Sequence, residues 1–258
     1  MKTPVIIPAF NEELRLERTL HYLPDNVAPI IAINGSDDLS NYLTAAIAER
    51  FGAEVQVIPE QGKLPAIQKV LRGLGDRALE PLLILDADTR PLFPKHWHSH
   101  MLHDLSTEGV PQVVGGPVWF TGRPIGESAI RSVWRAGRAL ASAHDTSLER
   151  VGQCGPNMGI KLEKNHVLKA ILDLEHTWPG EDIALTQAVI DKGGDFHQPV
   201  HPFACTTTPT SLSFVSLSQR LRIGRDESRK IISERYAARG APGSKPYSVS
   251  PVKTTTLK

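Results

Sequence analysis

The first hundred residues alternate short apolar runs with stretches of helical periodicity, and this alternation limits the fold more than any other feature. "PVIIPAF" (4–10), "APIIAIN" (28–34), "EVQVIPE" (54–60) and "PLLILDADT" (81–89) read as buried strands. Asn11 is placed to cap a helix opening with Glu12 and Glu13, acids that suit a helix N-terminus. "NYLTAAIAERFG" (41–52) and "LPAIQKVLRGLG" (64–75) are helices stopped by glycine. Strands separated by helices of this length call for right-handed crossovers and an α/β architecture, a mostly parallel sheet flanked by helices on both faces. Ligands of such sheets collect beyond the carboxyl ends of the strands.

The second half is less regular. "QVVGGPVWF" (112–120) reads as a strand, 125–145 as a helix, and "GQCGPNMGIKLE" (152–163) as a loop entering a strand. "EDIALTQAVIDKGG" (181–194) is a helix with Glu181 and Asp182 in its first turn, and 216–240 is a basic helix. Residues 241–258 hold little that a core could bury and are expected to be a disordered tail, leaving a single domain over 1–240. A chain of 258 residues with 40% hydrophobic and 22% charged residues suits one globular domain. Its net charge of +1 supplies no overall field for nucleic acid, and none is expected as a partner.

Cys154 and Cys205 lack metal-finger spacing, which points to a reducing, cytoplasmic setting. "MKTPVIIPAFNEE" meets a proline and acids too early for a signal peptide. No apolar run approaches the ~20 residues that cross a bilayer, so at most a peripheral place at the inner membrane face is expected.

"PLLILDADTR" ends a greasy run in two acids, Asp86 and Asp88, with only Ala87 between them. If the strand continues through them, both carboxylates project to one side. Converging carboxylates at a partly buried strand end repel unless a cation or proton intervenes. A hard divalent ion, Mn2+ or Mg2+, resolves the conflict and keeps coordination positions free for phosphate. Aspartates of a solvent-exposed turn are the plainer alternative.

This DxD has company: "PAFNEE", "NGSDD", "GKLPAIQKVLRGL", "PGEDIALT" and "TPTSLSFVSLSQRLR" occur in order along the chain. Together, over about residues 4–226, they resemble the family-2 glycosyltransferases of GT-A fold, which move a sugar from a nucleotide diphosphate. The resemblance implies that Pro8, Ala9 and Glu12 surround the nucleoside, and that Asn34 and Asp38 lie in the segment contacting base and ribose. That segment usually begins with acids; here Ile33 and Asn34 stand in their place. By the same resemblance Lys63 lies near the nucleotide, and Asp86, Ala87 and Asp88 form the metal-diphosphate motif. Gly155 and Asn157 fall beside the donor sugar and acceptor. Glu181 and Asp182 match the acceptor-side acidic pair, with Asp182 as base. Gln219 and Arg222 match part of a QxxRW motif whose tryptophan is here Ile223.

The activity implied is a metal-dependent, inverting transfer from a UDP- or GDP-sugar to an acceptor hydroxyl. Asp88, with Asp86, would hold the ion against the charge that builds on the leaving diphosphate. Asp182 would take the acceptor's proton. Trp178 is a candidate platform for an acceptor sugar face, or simple packing. Its basic charges make 216–240 a candidate contact for an anionic lipid-linked acceptor, against the plainer reading of a solvated helix. Of the ten histidines, His201 is the preferred third metal ligand, whereas "HWHSH" (96–100) reads as the solvated face of a helix. Two rivals share the front half: a sugar-phosphate nucleotidyltransferase, and a non-catalytic nucleotide-sugar-binding relative.

Overall fold

A computed structural model of the chain describes residues 2–35, 38–106, 108–121, 155–175, 181–198 and 202–209. The four leading apolar runs become the parallel half of its sheet. β1 (Thr3–Ala9) pairs with β2 (Val27–Asn34) from Thr3 opposite Val27 to Ala9 opposite Ile33, with α1 (Glu13–His21) as the crossover. α2 (Asp38–Arg50) leads to β3 (Glu54–Ile58), and α3 (Lys63–Leu74) with a short 3-10 turn leads to β4 (Leu82–Leu85) on the other side of β1.

β5 (Arg90–Pro91), α4 (Pro94–His103), β6 (Gln112–Gly115) and β7 (Val118–Thr121) follow, then β8 (Asn157–Lys161), α5 (Asn165–Leu172), α6 (Glu181–Ile190), β9 (Asp195–His197) and β10 (Thr206–Pro209). The main sheet has seven strands in the order β3-β2-β1-β4-β8-β6-β9, antiparallel only where β8 meets β4 and β6. β5, β10 and β7 form a small second sheet.

Side chains alternate across the strands and build two cores. Ile6, Ile30, Leu82 and Ile84 pack under α3, α5 and α6. Val5, Ile7, Ile31, Leu83 and Leu85 face α1, α2 and α4, where Trp97 is fully buried. Covering both faces is what a sheet with parallel crossovers requires.

Four expectations change. Asn11 takes a left-handed φ of 53° and does not cap; Glu12 occupies the N-cap position without a side-chain bond to the helix. α2 begins at Asp38, three residues early. β4 stops at Leu85, and Asp86 to Thr89 form a turn closed by the Thr89 N–H donating to the Asp86 carbonyl at 2.9 Å. "QVVGGPVWF" breaks into β6 and β7 in separate sheets. Pro117 lacks a ladder donor, and a Cβ on Gly116 would collide with the Asn157 amide and meet the Ala204 carbonyl at 3.0 Å. The helices expected at 125–145 and 216–240, and the tail 241–258, lie outside the described residues.

Candidate active site

Two acids close β4, and the fold brings a lysine to the first of them. Lys63 opens α3 directly after Gly62, whose φ of 125° favours glycine. Its ammonium lies 2.5 Å from Asp86 Oδ1 and 3.6 Å from Glu181 Oε1, and donates to the Gly155 carbonyl at 2.8 Å. Gly155 also touches the acidic helix: a Cβ built on it would sit 2.9 Å from Asp182 Oδ2. Asp86, Lys63, Gly155, Glu181 and Asp182 thus converge from four stretches of chain, and all but Asp86 line a small cleft together with Ile84 and Met158.

Burial makes the charges here expensive. It pushes the Asp182 carboxyl up to about 7, Glu181 adds to the rise, and Lys63 pulls the other way. Burial likewise raises Asp86, with Lys63 opposing. Burial acts to strip the proton from Lys63 itself, but Asp86 and Glu181 outweigh it and the amine stays firmly charged.

Asp88 turns toward α1. Its Oδ2 lies 3.8 Å from the Arg15 guanidinium, which also reaches Glu12 at 3.3 Å, and Thr89 donates to Asp88 Oδ1 at 3.3 Å. Burial, then Asp86, then Glu12 push its carboxyl up to about 6, against Arg15. Glu12 is raised as well, chiefly by burial.

The two aspartates thus meet different cations: Asp86 is held by Lys63, and Asp88 lies beside Arg15. Among the described residues no three His, Cys, Asp or Glu side chains gather as a cage for a metal. Asp88 offers one hard oxygen donor of the kind such an ion takes, its Arg15 partner standing 3.8 Å away and shared with Glu12.

The remaining predicted residues divide. Pro8 and Ala9 end β1 as expected, but Ala9 and Ala87 bury their methyls in the core, leaving only backbone to meet a ligand. Asp38 is exposed at the start of α2. Asn34 ends β2 with its Oδ1 buried and unpartnered, an arrangement costing about 1–3 kcal/mol unless something donates to it. Asn157 is no acceptor contact: fully buried, it accepts from Trp97 Nε1 at 3.0 Å and donates to Ala204 O at 2.8 Å, tying the main sheet to the 3-10 turn before β10. Trp178, His201, Gln219 and Arg222 lie outside the described residues.

"HWHSH" is only partly solvated. His98 is buried, bonded to Asn26 and Thr3 at 2.7 and 2.8 Å.

Three contributors were not foreseen. Arg15 is flagged only by its i,i+3 spacing from Glu12. Thr19 steadies the acidic turn by donating to the Ala87 carbonyl at 2.7 Å. Gln68, a polar residue on the apolar face of α3, donates to the Ile171 and Leu174 carbonyls, both at 2.9 Å, and fixes the end of α5.

No family model matches the sequence, and no curated protein matches it. Solved structures match in shape. The mannosyltransferase PcManGT from Pyrobaculum calidifontis, in complex with GDP-Man and Mn2+, superposes with a TM-score of 0.57 at 19% identity, over 86% of this chain and 60% of that one. GalNAc-T7 with UDP, GalNAc and Mn2+ superposes with a TM-score of 0.53 at 16% identity, over 83% of this chain and 44% of that one. The fold is that of the nucleotide-diphospho-sugar transferases. The chain spans less than two thirds of either of these proteins. In the nucleotide-diphospho-sugar transferase fold seen here, both the Asp86–Lys63–Glu181 chain and Asp88 stand where the β4 turn leaves the sheet. Among the described residues no helix is long and apolar enough to cross a membrane.

Proposed function

We propose that the chain is a glycosyltransferase of the family-2 kind, moving a sugar from a UDP- or GDP-sugar to an acceptor hydroxyl with inversion at the anomeric carbon. The observation that carries this reading is the juxtaposition of an acidic turn, Asp86–Asp88, with a second acid pair, Glu181–Asp182, across one lysine at the strand ends. Ligand-bearing structures of the same fold hold GDP-Man or UDP with Mn2+, which agrees with a donor and cation of these classes.

Each residue has a physical task. Asn34 Oδ1 offers an acceptor to a nucleoside N–H, ending its unpaired state. Arg15, beside Asp88, attracts the diphosphate. Asp88 would hold a divalent cation, which when bound spreads the charge that grows on the leaving diphosphate. Asp182, with a carboxyl near neutrality, takes the acceptor's proton as its oxygen bonds the anomeric carbon and the diphosphate departs with the electron pair of the broken bond.

The test is a thermal-shift panel of nucleoside diphosphates and nucleotide sugars with and without manganese, followed by assay of donor hydrolysis. Manganese-dependent stabilisation and nucleoside diphosphate release support transfer. Pyrophosphate release instead points to nucleotidyl chemistry, and binding without release to a non-catalytic relative; either result overturns the proposal.

A further inference from the structure

Family resemblance places Lys63 beside the nucleotide, yet its side chain is turned inward and only 14% exposed. Its three contacts are a donor-side carboxylate, an acceptor-side carboxylate, and the carbonyl of the glycine packed against Asp182. An ammonium has three donors on one point charge; here two of them meet Asp86 and the Gly155 carbonyl, and Glu181 adds a longer ion pair at 3.6 Å, so the charge is engaged mainly inside the protein.

We propose that Lys63 is a positioning residue that clamps the first turn of α6 to the Asp86 turn and places its positive charge beside the Asp182 carboxyl. The inference rests on the transferase reading for the role of Asp182 as base. Two things follow from the geometry. The Gly155 carbonyl is fixed by Lys63, which keeps that glycine's Cα against the Asp182 carboxylate, where any side chain would push the carboxylate aside. Asp86 competes with Glu181 for the same ammonium, so the two halves of the site share one positive charge.

The groups acting most strongly on Asp182 are Glu181 on its own helix and Lys63 from α3. Among the described residues, the elements packed on α6 bring no rival. α5 carries His166 and Lys169, and β9 carries Asp195 and His197; all four are exposed. β6 has no titratable side chain.

The test reads the Asp182 carboxyl directly, by carbon NMR titration of the full chain, with the signal assigned by its loss in Asp182→Asn. The wild-type midpoint should lie near 7. Lys63→Met should raise it by about one pH unit or more, leaving about a fifth or less of the wild-type ionised fraction at neutral pH. Lys63→Arg should hold it near the wild-type value, and exposed Lys69→Met should leave it unchanged. Asp86→Asn should move it down, because the ammonium is then left to the Glu181–Asp182 pair. In turnover, Lys63→Met should lose kcat at pH 7 and recover part of it at higher pH.

An unmoved midpoint in Lys63→Met overturns the proposal. If that variant does not fold, Asp86→Asn decides alone, and an unchanged or raised midpoint overturns it. Should the wild type neither bind nor turn over a nucleotide sugar, the transferase reading fails, while the titration still reports whether Lys63 holds the charge on Asp182.

Discussion

The two edges of the main sheet use polar residues in opposite ways. At the amino edge, His98 reaches from α4 to Thr3 and Asn26, and each ring nitrogen meets one neutral partner. At the carboxyl edge, Glu12, Asp86, Asp88, Glu181 and Asp182 share Lys63 and Arg15. The first cluster is satisfied within itself and acts as a clip. The second carries more negative than positive charge in a partly buried place, and folding alone gives no reason for that. Unbalanced charge at the ligand-binding edge of an α/β sheet is the physical mark of a site.

The contrast can be broken by experiment. Asp182→Asn keeps size and loses the proton acceptor; kcat should fall about a hundred- to ten-thousand-fold while donor affinity holds, which steady-state kinetics with isothermal titration will check. Asp88→Ala should remove the stabilisation that manganese gives with a nucleotide and cut turnover about a hundredfold; normal activity in chelator would sink the assignment of the cation to this residue.

Stability should respond to pH with opposite sign at the two edges. Asp88 and Asp182 are raised to about 6 and about 7, so between the ordinary carboxylate range and those values the folded state binds more protons than the unfolded chain. Their contribution is present at acid pH and is lost as pH rises through 6 and 7. Burial lowers His98, so its contribution is present above the ordinary histidine value and is lost as pH falls below it. Thermal melts of Asp182→Asn should therefore flatten the fall in stability between the ordinary carboxylate range and about pH 7, and melts of His98→Ala the fall below the ordinary histidine value. The smallest effect is the clip itself. His98→Ala should cost about 0.5–1.5 kcal/mol in denaturant melts for each bond lost to Thr3 and Asn26, and leave kcat untouched.

Much of this was legible before any coordinates. The strands β1 to β3 and the crossovers α2 and α3 follow from apolar runs and glycine stops, because period and punctuation are local properties. The DxD and the acids opening α6 were also visible. Three particulars were hidden. Asp86 and Asp88 look equivalent in an extended segment, and part company only because the chain turns after Leu85. Asn157 reads as a loop contact, but pairing with β4 and β6 buries it beneath Trp97. His98 shares its motif with exposed His96, and only the packing of α4 on the strand starts separates them.

Order along the chain was sufficient for the class of fold and for the presence of paired acids, since a residue's neighbours set strand, helix and turn. Which acid receives the lysine was settled by folding in three dimensions. Lys63 and Gly155 are 92 residues apart, and no local pattern records that one donates to the other. Charge in a low-dielectric cleft depends on distance through space, and the partners that set Asp182 near neutrality meet only when α3, the β4 turn and α6 close on one another.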